Sequence, residues 1–167
     1  FASLIPAEEW LYDWYSRCGY TRNITCTPPP ADVESMDFLT FDSWQRAKDC
    51  VLLHDEEGFD IIKEDYRISQ SIEPDACVET KDIPGMIRII NAEKALQLFA
   101  NRHPEHTENI RVYNDSDIPM NNIYFEIKHG HVVKTNHPLP DTHSLTITEL
   151  ADYIFKNDNL EMNLMLN

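Results

Sequence analysis

The stretch from Gly85 to Lys156 is punctuated so regularly that few architectures can hold it. "GMIRII" reads as a strand, Asn91 stands where it would cap the helix "AEKALQLFANR", and "NIRVY", "NIYFEIK" and "HVVKT" read as further strands. "KHGHV" predicts a tight hairpin with Gly130 at its corner. "SLTITELADYIFK" then reads as a strand running into a helix. Helices at both ends of a run of strands that includes a hairpin predict an α+β domain with a mixed, largely antiparallel sheet.

Upstream, "FASLI" reads as a short buried strand that ends at Pro6. Pro6 suits the first position of a helix, Glu8 and Glu9 favour its positive end, and Gly19 supplies its exit. The apolar positions Trp10, Leu11, Trp14, Tyr15 and Cys18 predict a single buried stripe, with Tyr15 facing inward. "TPPPAD", residues 27 to 32, is a stiff connector, since consecutive prolines disfavour both helix and ladder. Beyond it, helical spacing flanks the short run "CVLLH", and Asp55 is placed to cap a helix through Phe59, Ile62 and Tyr66. At the far end Leu160, Met162, Leu164 and Leu166 alternate at period two, which predicts a terminal strand with one buried face. An edge strand with a solvated carboxylate is the plain form of that reading.

Apolar residues fill 42% of the 167 positions and aromatic ones 10%, enough to bury a core and to set the chain apart from disordered sequences. Its formal charge of -15 is uneven, for residues 28 to 84 carry -10 of it. Such a balance repels phosphate backbones and anionic lipid, so neither nucleic acid nor a membrane is expected as a partner, and it attracts cations. Cys18, Cys26, Cys50 and Cys77 form no CxxC pair, which fits a reducing cytoplasm. No apolar run has the length of a membrane span and no signal peptide is visible. A start at Phe1 in strand-like sequence leads to the expectation of a fragment.

Few motifs carry chemistry. Gly19, Gly58, Gly85 and Gly130 are isolated, so no glycine-rich loop is present to cradle a pyrophosphate. His129, His131, His137 and His143 lie close in sequence without accompanying ligand spacing; they read as turn and loop polarity, and no metal is expected. No GxSxG run occurs. Tyr15 reads first as a core aromatic whose hydroxyl needs a partner if buried.

"FASLIPAEEWLYDWYSRCGY" resembles the final strand and helix of a GNAT-superfamily acetyltransferase, whose aromatic-Tyr-x-[RK]-x-Gly-[FY] run matches Trp14 to Tyr20. "PGMIRIINAEKALQLF", "SLTITELADYIFK" and the closing "MNLMLN" resemble the sterol-carrier-protein-like terminal domain of bacterial Eis-type acetyltransferases, the enhanced intracellular survival family. The resemblance covers residues 1 to 27 and 85 to 167 well and 38 to 70 more loosely. It implies three parts: the end of a GNAT domain over 1–27, an acidic remnant of a second GNAT-like half over 28–84, and the sterol-carrier-like domain over 85–167.

It implies direct transfer of acetyl from acetyl-CoA, the cosubstrate, to a small-molecule or peptide amine by a homo-oligomeric enzyme. The family's tyrosine acid maps onto Tyr15, and its terminal carboxylate base onto Asn167. A phenol near ~10 lies close enough to a thiol near about 8.5 to protonate a departing thiolate, and partial desolvation would strengthen an α-carboxylate base. Departures accompany the match. Glu8 stands where many superfamily members carry Asn, and the coenzyme-gripping loop lies upstream in the family, so no coenzyme-binding residue is assigned. The short middle leads to the expectation that part of a longer chain is missing around Gln70 and Ser71, and that these residues alone do not acetylate. The alternative is a non-catalytic module of the sterol-carrier type that binds an apolar ligand, with the strands from Arg88 to Thr135 and the helix through Leu150 and Phe155 enclosing it, or one that mediates oligomer contact.

Overall fold

A computed structural model describes residues 1–48, 50–72, 83–155 and 160–163. In chain order its elements are β1 (Ala2–Leu4), α1 (Glu9–Arg17), β2 (Thr21–Thr27), α2 (Phe38–Arg46), β3 (Val51–Leu52), α3 (Glu56–Ile72) and β4 (Ile83–Arg88). There follow α4 (Ala92–Arg102), β5 (Glu108–Tyr113), β6 (Tyr124–Lys128), β7 (His131–Thr135), β8 (Thr142–Thr146), α5 (Ile147–Phe155) and β9 (Glu161–Asn163). The fold is mixed α+β. Two compact units divide the chain: Phe1–Asn23 with Met86–Asn157, and Ile24–Gly85 with Asp158–Asn167.

In the first unit a four-stranded sheet runs in the order β7-β6-β5-β8. Its inward face follows from alternation: Ile110 and Val112 on β5, and Phe125 and Ile127 on β6, are buried, while Arg111 and Glu126 between them are exposed. α4 packs on β6 and β7, α5 packs on β5 and β8, and the helices touch each other, so both cover one face. Leu96 of α4 and Leu150 of α5 close this core.

Local chemistry sets the boundaries. Asn91 caps α4 by accepting the Lys94 N–H at 2.9 Å, as its position predicts. His129 and Gly130 turn the β6–β7 hairpin with φ of 50° and 76°, the paired positive values that a two-residue turn of this hand requires. β5–β6 and β6–β7 are antiparallel as expected, whereas β8 runs parallel to β5, with Ile110 opposite His143. β1 pairs antiparallel with β4, Leu4 opposite Met86, and its residues are half-buried rather than buried.

The second unit holds α2, α3 and a small parallel ladder. Asp37 caps α2 through Thr40 N–H at 2.8 Å, and Asp55 accepts the Gly58 N–H at 2.9 Å at the start of α3. Phe41 and Phe59 stack at 4.7 Å over Val33 and Ile62, all buried. The proline connector leads into the 3₁₀ turn Val33–Ser35 that carries Val33 into this core. α3 runs through Gln70 and Ser71 and is described as far as Ile72; the rest of the stretch where a break was expected lies outside the described residues.

Leu160 and Met162 are buried, as the terminal alternation predicts, while Leu164 and Leu166 lie outside the described residues. β9 is not an edge strand. It pairs in parallel with β2 on one side, Cys26 opposite Met162, and with β3 on the other, Val51 opposite Glu161. Period-two spacing identifies a strand with one apolar face but carries no information on how many neighbours it has.

Candidate functional site

The run Trp14 to Tyr20 folds into a closed turn at the end of α1. The Gly19 N–H donates to the Ser16 carbonyl at 3.1 Å and the Tyr20 N–H donates to the Tyr15 carbonyl at 3.2 Å, while the Cys18 N–H also donates to Tyr15 at 2.9 Å. These nested bonds end a helix through a left-handed residue, and Gly19 supplies it with φ +81°. A Cβ at this position would stand 2.9 Å from Cγ2 of Ile147, so glycine is required by both backbone and space.

The same turn clamps the Tyr15 ring. Tyr20 meets it edge-on at 5.6 Å and Trp14 at 4.9 Å, edge-to-face arrangements that favour a fixed ring. Tyr15 is half-buried, and its hydroxyl has no hydrogen-bond partner among the described residues. A ring held by two aromatic neighbours thus carries an oxygen uncommitted among the described residues.

The inward face of α1 differs from the expected stripe. Trp10 and Trp14 are 60% and 50% exposed, Leu11, Tyr15 and Cys18 are half-buried, and the buried aromatic is Tyr12. The less exposed arc therefore runs through Leu11, Tyr12, Tyr15 and Cys18, turned away from Trp10 and Trp14 toward Tyr12. Polar contacts explain the rotation. The Arg22 guanidinium lies 3.9 Å from the Tyr12 ring centre and its Nη2 donates to Glu9 at 3.0 Å, while the Trp10 indole donates to Glu8 at 2.7 Å from the outer side.

Arg88 at the end of β4 ties this helix end to the β5–β6 connection. Its Nη1 donates to the Cys18 carbonyl at 2.7 Å and to Asp117 at 2.6 Å, and its Nη2 donates to Asp115 at 2.8 Å. Arg88 and Asp115 are both buried. Asp115 is satisfied in turn by Asn121 Nδ2 at 2.8 Å and the Ile118 N–H at 3.1 Å, and Asn121 accepts the Ala92 N–H at 3.0 Å. A buried charge needs this degree of pairing.

A second polar cluster gathers around Glu108 at the start of β5. Tyr153 of α5 donates its hydroxyl to Oε2, His106 Nε2 lies 3.0 Å from the same oxygen and 2.8 Å from the Tyr153 hydroxyl, and His143 Nδ1 lies 3.0 Å from Oε1. Burial works to raise the Glu108 pKa, but the bonds from Tyr153, His106 and His143 outweigh it and hold the carboxyl below its usual value. Burial, then the bond to Glu108 and its charge, push the Tyr153 phenol up. Phe99 packs against Tyr153, His106 and His103 at 5.2, 5.3 and 4.6 Å, and closes the apolar side.

Of the two residues assigned a role from the sequence, the structure describes Tyr15; Asn167 lies outside the described residues. Of the four histidines near one another in sequence, His143 joins Glu108, whereas His129 and His131 flank the hairpin corner and His137 lies in the following loop, its N–H donating to Thr135 Oγ1 at 3.1 Å. No group of side chains suited to a metal ion occurs among the described residues. Nor is any described helix long and apolar enough to cross a membrane. The Arg88 and Glu108 networks were invisible in the sequence because they join residues up to 70 positions apart with no local signature. Compared with known proteins, the chain matches no family model, no curated protein and no solved structure.

Proposed function

We propose that these residues form the carboxy-terminal portion of an acetyl-CoA-dependent N-acetyltransferase of the Eis type, acting in the cytoplasm, with Tyr15 as general acid. The observation that carries the reading is the Tyr15 phenol, held on a clamped ring at a helix end with no partner among the described residues. Tyr153, half-buried like Tyr15, donates its hydroxyl to Glu108 instead.

In the proposed reaction a neutral amine attacks the thioester carbonyl carbon, the carbon–sulfur bond breaks, and the thiolate takes the phenolic proton of Tyr15. The ammonium proton passes to the α-carboxylate of Asn167, a role that rests on the resemblance to the family. The acidic stretch from 28 to 84 favours a cationic acceptor such as an aminoglycoside, a polyamine or a lysine-containing peptide.

In the full-length enzyme, Tyr15→Phe should lower kcat by about a hundredfold or more, the ordinary contribution of a general acid, while acetyl-CoA affinity stays within about threefold. Undiminished turnover removes Tyr15 from the mechanism. Acetyl-CoA titration calorimetry separates the enzyme from a non-catalytic sterol-carrier-like module, for which no heat of binding is expected.

A further inference from the structure

We infer that Arg88 is the positioning residue for Tyr15, an inference that rests on reading Tyr15 as the general acid. The backbone that carries the Tyr15 ring is held by the turn below it, because the Tyr15 carbonyl accepts both the Cys18 and the Tyr20 N–H groups. Fixing Cys18 therefore fixes the base of Tyr15. Arg88 Nη1 holds the Cys18 carbonyl at 2.7 Å, at the helix end where unpaired carbonyls concentrate partial negative charge.

The guanidinium is held in place, since Asp115 takes Nη2, Asp117 shares Nη1 with the Cys18 carbonyl, and the side chain is only 8% exposed. Asp115 is itself held by Asn121, which also binds the first turn of α4 through the Ala92 N–H. The position of Tyr15 is thus referred to the frame of the sheet-bearing unit instead of to α1 alone. Gly19 completes the seat, since the space a side chain would need there is taken by Ile147, with the Arg88 Nε and Cζ close behind.

A guanidinium is needed because two carboxylates and a carbonyl must be met at fixed angles by one rigid fork, which a lysine ammonium does not reproduce. In the full-length enzyme Arg88→Lys should lower kcat about tenfold with KM for acetyl-CoA unchanged, as expected when a reacting group is slightly misplaced. In the Tyr15→Phe background the same substitution should change kcat less than about twofold, because Arg88 acts only through Tyr15. Multiplying losses overturn the inference, as does full activity in Arg88→Lys where Tyr15→Phe is impaired.

Asp117→Ala is the second variant. It releases one grip on Nη1 while keeping the buried Arg88–Asp115 pair, and should lower kcat by about threefold in the parent and not at all with Phe at position 15. The protein labelled with 3-fluorotyrosine reads position without turnover. The Tyr15 resonance, assigned by its loss in Tyr15→Phe, should be single and sharp in the parent, and shifted or broadened in both variants. An unchanged resonance overturns the positioning role even where the acid role stands. A moved resonance together with full turnover in Tyr15→Phe retains the positioning and removes the acid assignment.

Discussion

Replacing Gly19 with alanine tests the turn that presents Tyr15, and its cost can be worked from two separate contributions. At φ +81° an L-residue occupies the left-handed region, at a cost of about 1–2 kcal/mol. The new Cβ would also stand 2.9 Å from Cγ2 of Ile147, a residue 4% exposed with little room to retreat. Overpacking of that kind costs about 1–3 kcal/mol. A stiffer unfolded chain offsets about 0.4–1 kcal/mol. The net loss is about 3 kcal/mol.

Urea unfolding followed by tryptophan fluorescence measures it, because Trp10 and Trp14 both ride on α1. With a slope of about 2 kcal/mol per molar urea, the midpoint should fall by about 1.5 M at unchanged slope. Ile147→Ala separates the contributions by removing the opposing methyl group. In that background Gly19→Ala should cost only the backbone share, about 1 kcal/mol, and the difference between backgrounds is the steric coupling. A loss below about 1 kcal/mol in the parent, or the same loss in both backgrounds, would refute the argument.

Acid should weaken the Glu108 cluster. Its folded pKa is depressed, so its contribution is present above the unfolded value of about 4.3 and is lost as pH falls through the lower folded value. Unfolding free energy measured from about pH 5 downward should decline more gently in Glu108→Gln than in the parent, and equal slopes would count against the cluster. Cys26 is buried on β2 with its thiol pushed up to about 12 by that burial. At about pH 8 iodoacetamide should spare it in the folded protein and modify it after unfolding, as mass spectrometry reads; labelling of folded Cys26 as fast as half-buried Cys18 would contradict its placement.

What was legible in the sequence is what a few neighbouring residues decide together. Asn91 and Lys94 are three apart, Asp55 and Gly58 likewise, and the hairpin needs only His129 and Gly130. The alternation of β5 and β6 and the burial of Phe59 and Ile62 follow from period alone. The buried face of α1 departs from the expected stripe because its aromatic positions are not equivalent: Trp10 satisfies its indole against Glu8 and stays outside, while Tyr12 is buried under Arg22. The parallel pairings of β8 and β9 were missed for another reason: their partners come from far along the chain, and a strand's own pattern does not name them.

Tyr15 falls on both sides of this divide. The bonds that close residues 15 to 20 are local, and glycine followed by an aromatic residue is their visible trace. The group that holds that closed turn in place is Arg88, 70 residues beyond Cys18, inside a strand whose letters announce only an apolar run. Local chemistry therefore builds the turn, and a distant buried cation bonds it to the rest of its unit. The aromatic-Tyr-x-[RK]-x-Gly-[FY] run supplies the closed turn and the ring contacts, and the Arg88 fork, held by Asp115 and Asp117, is what ties that turn to the β5–β6 connection.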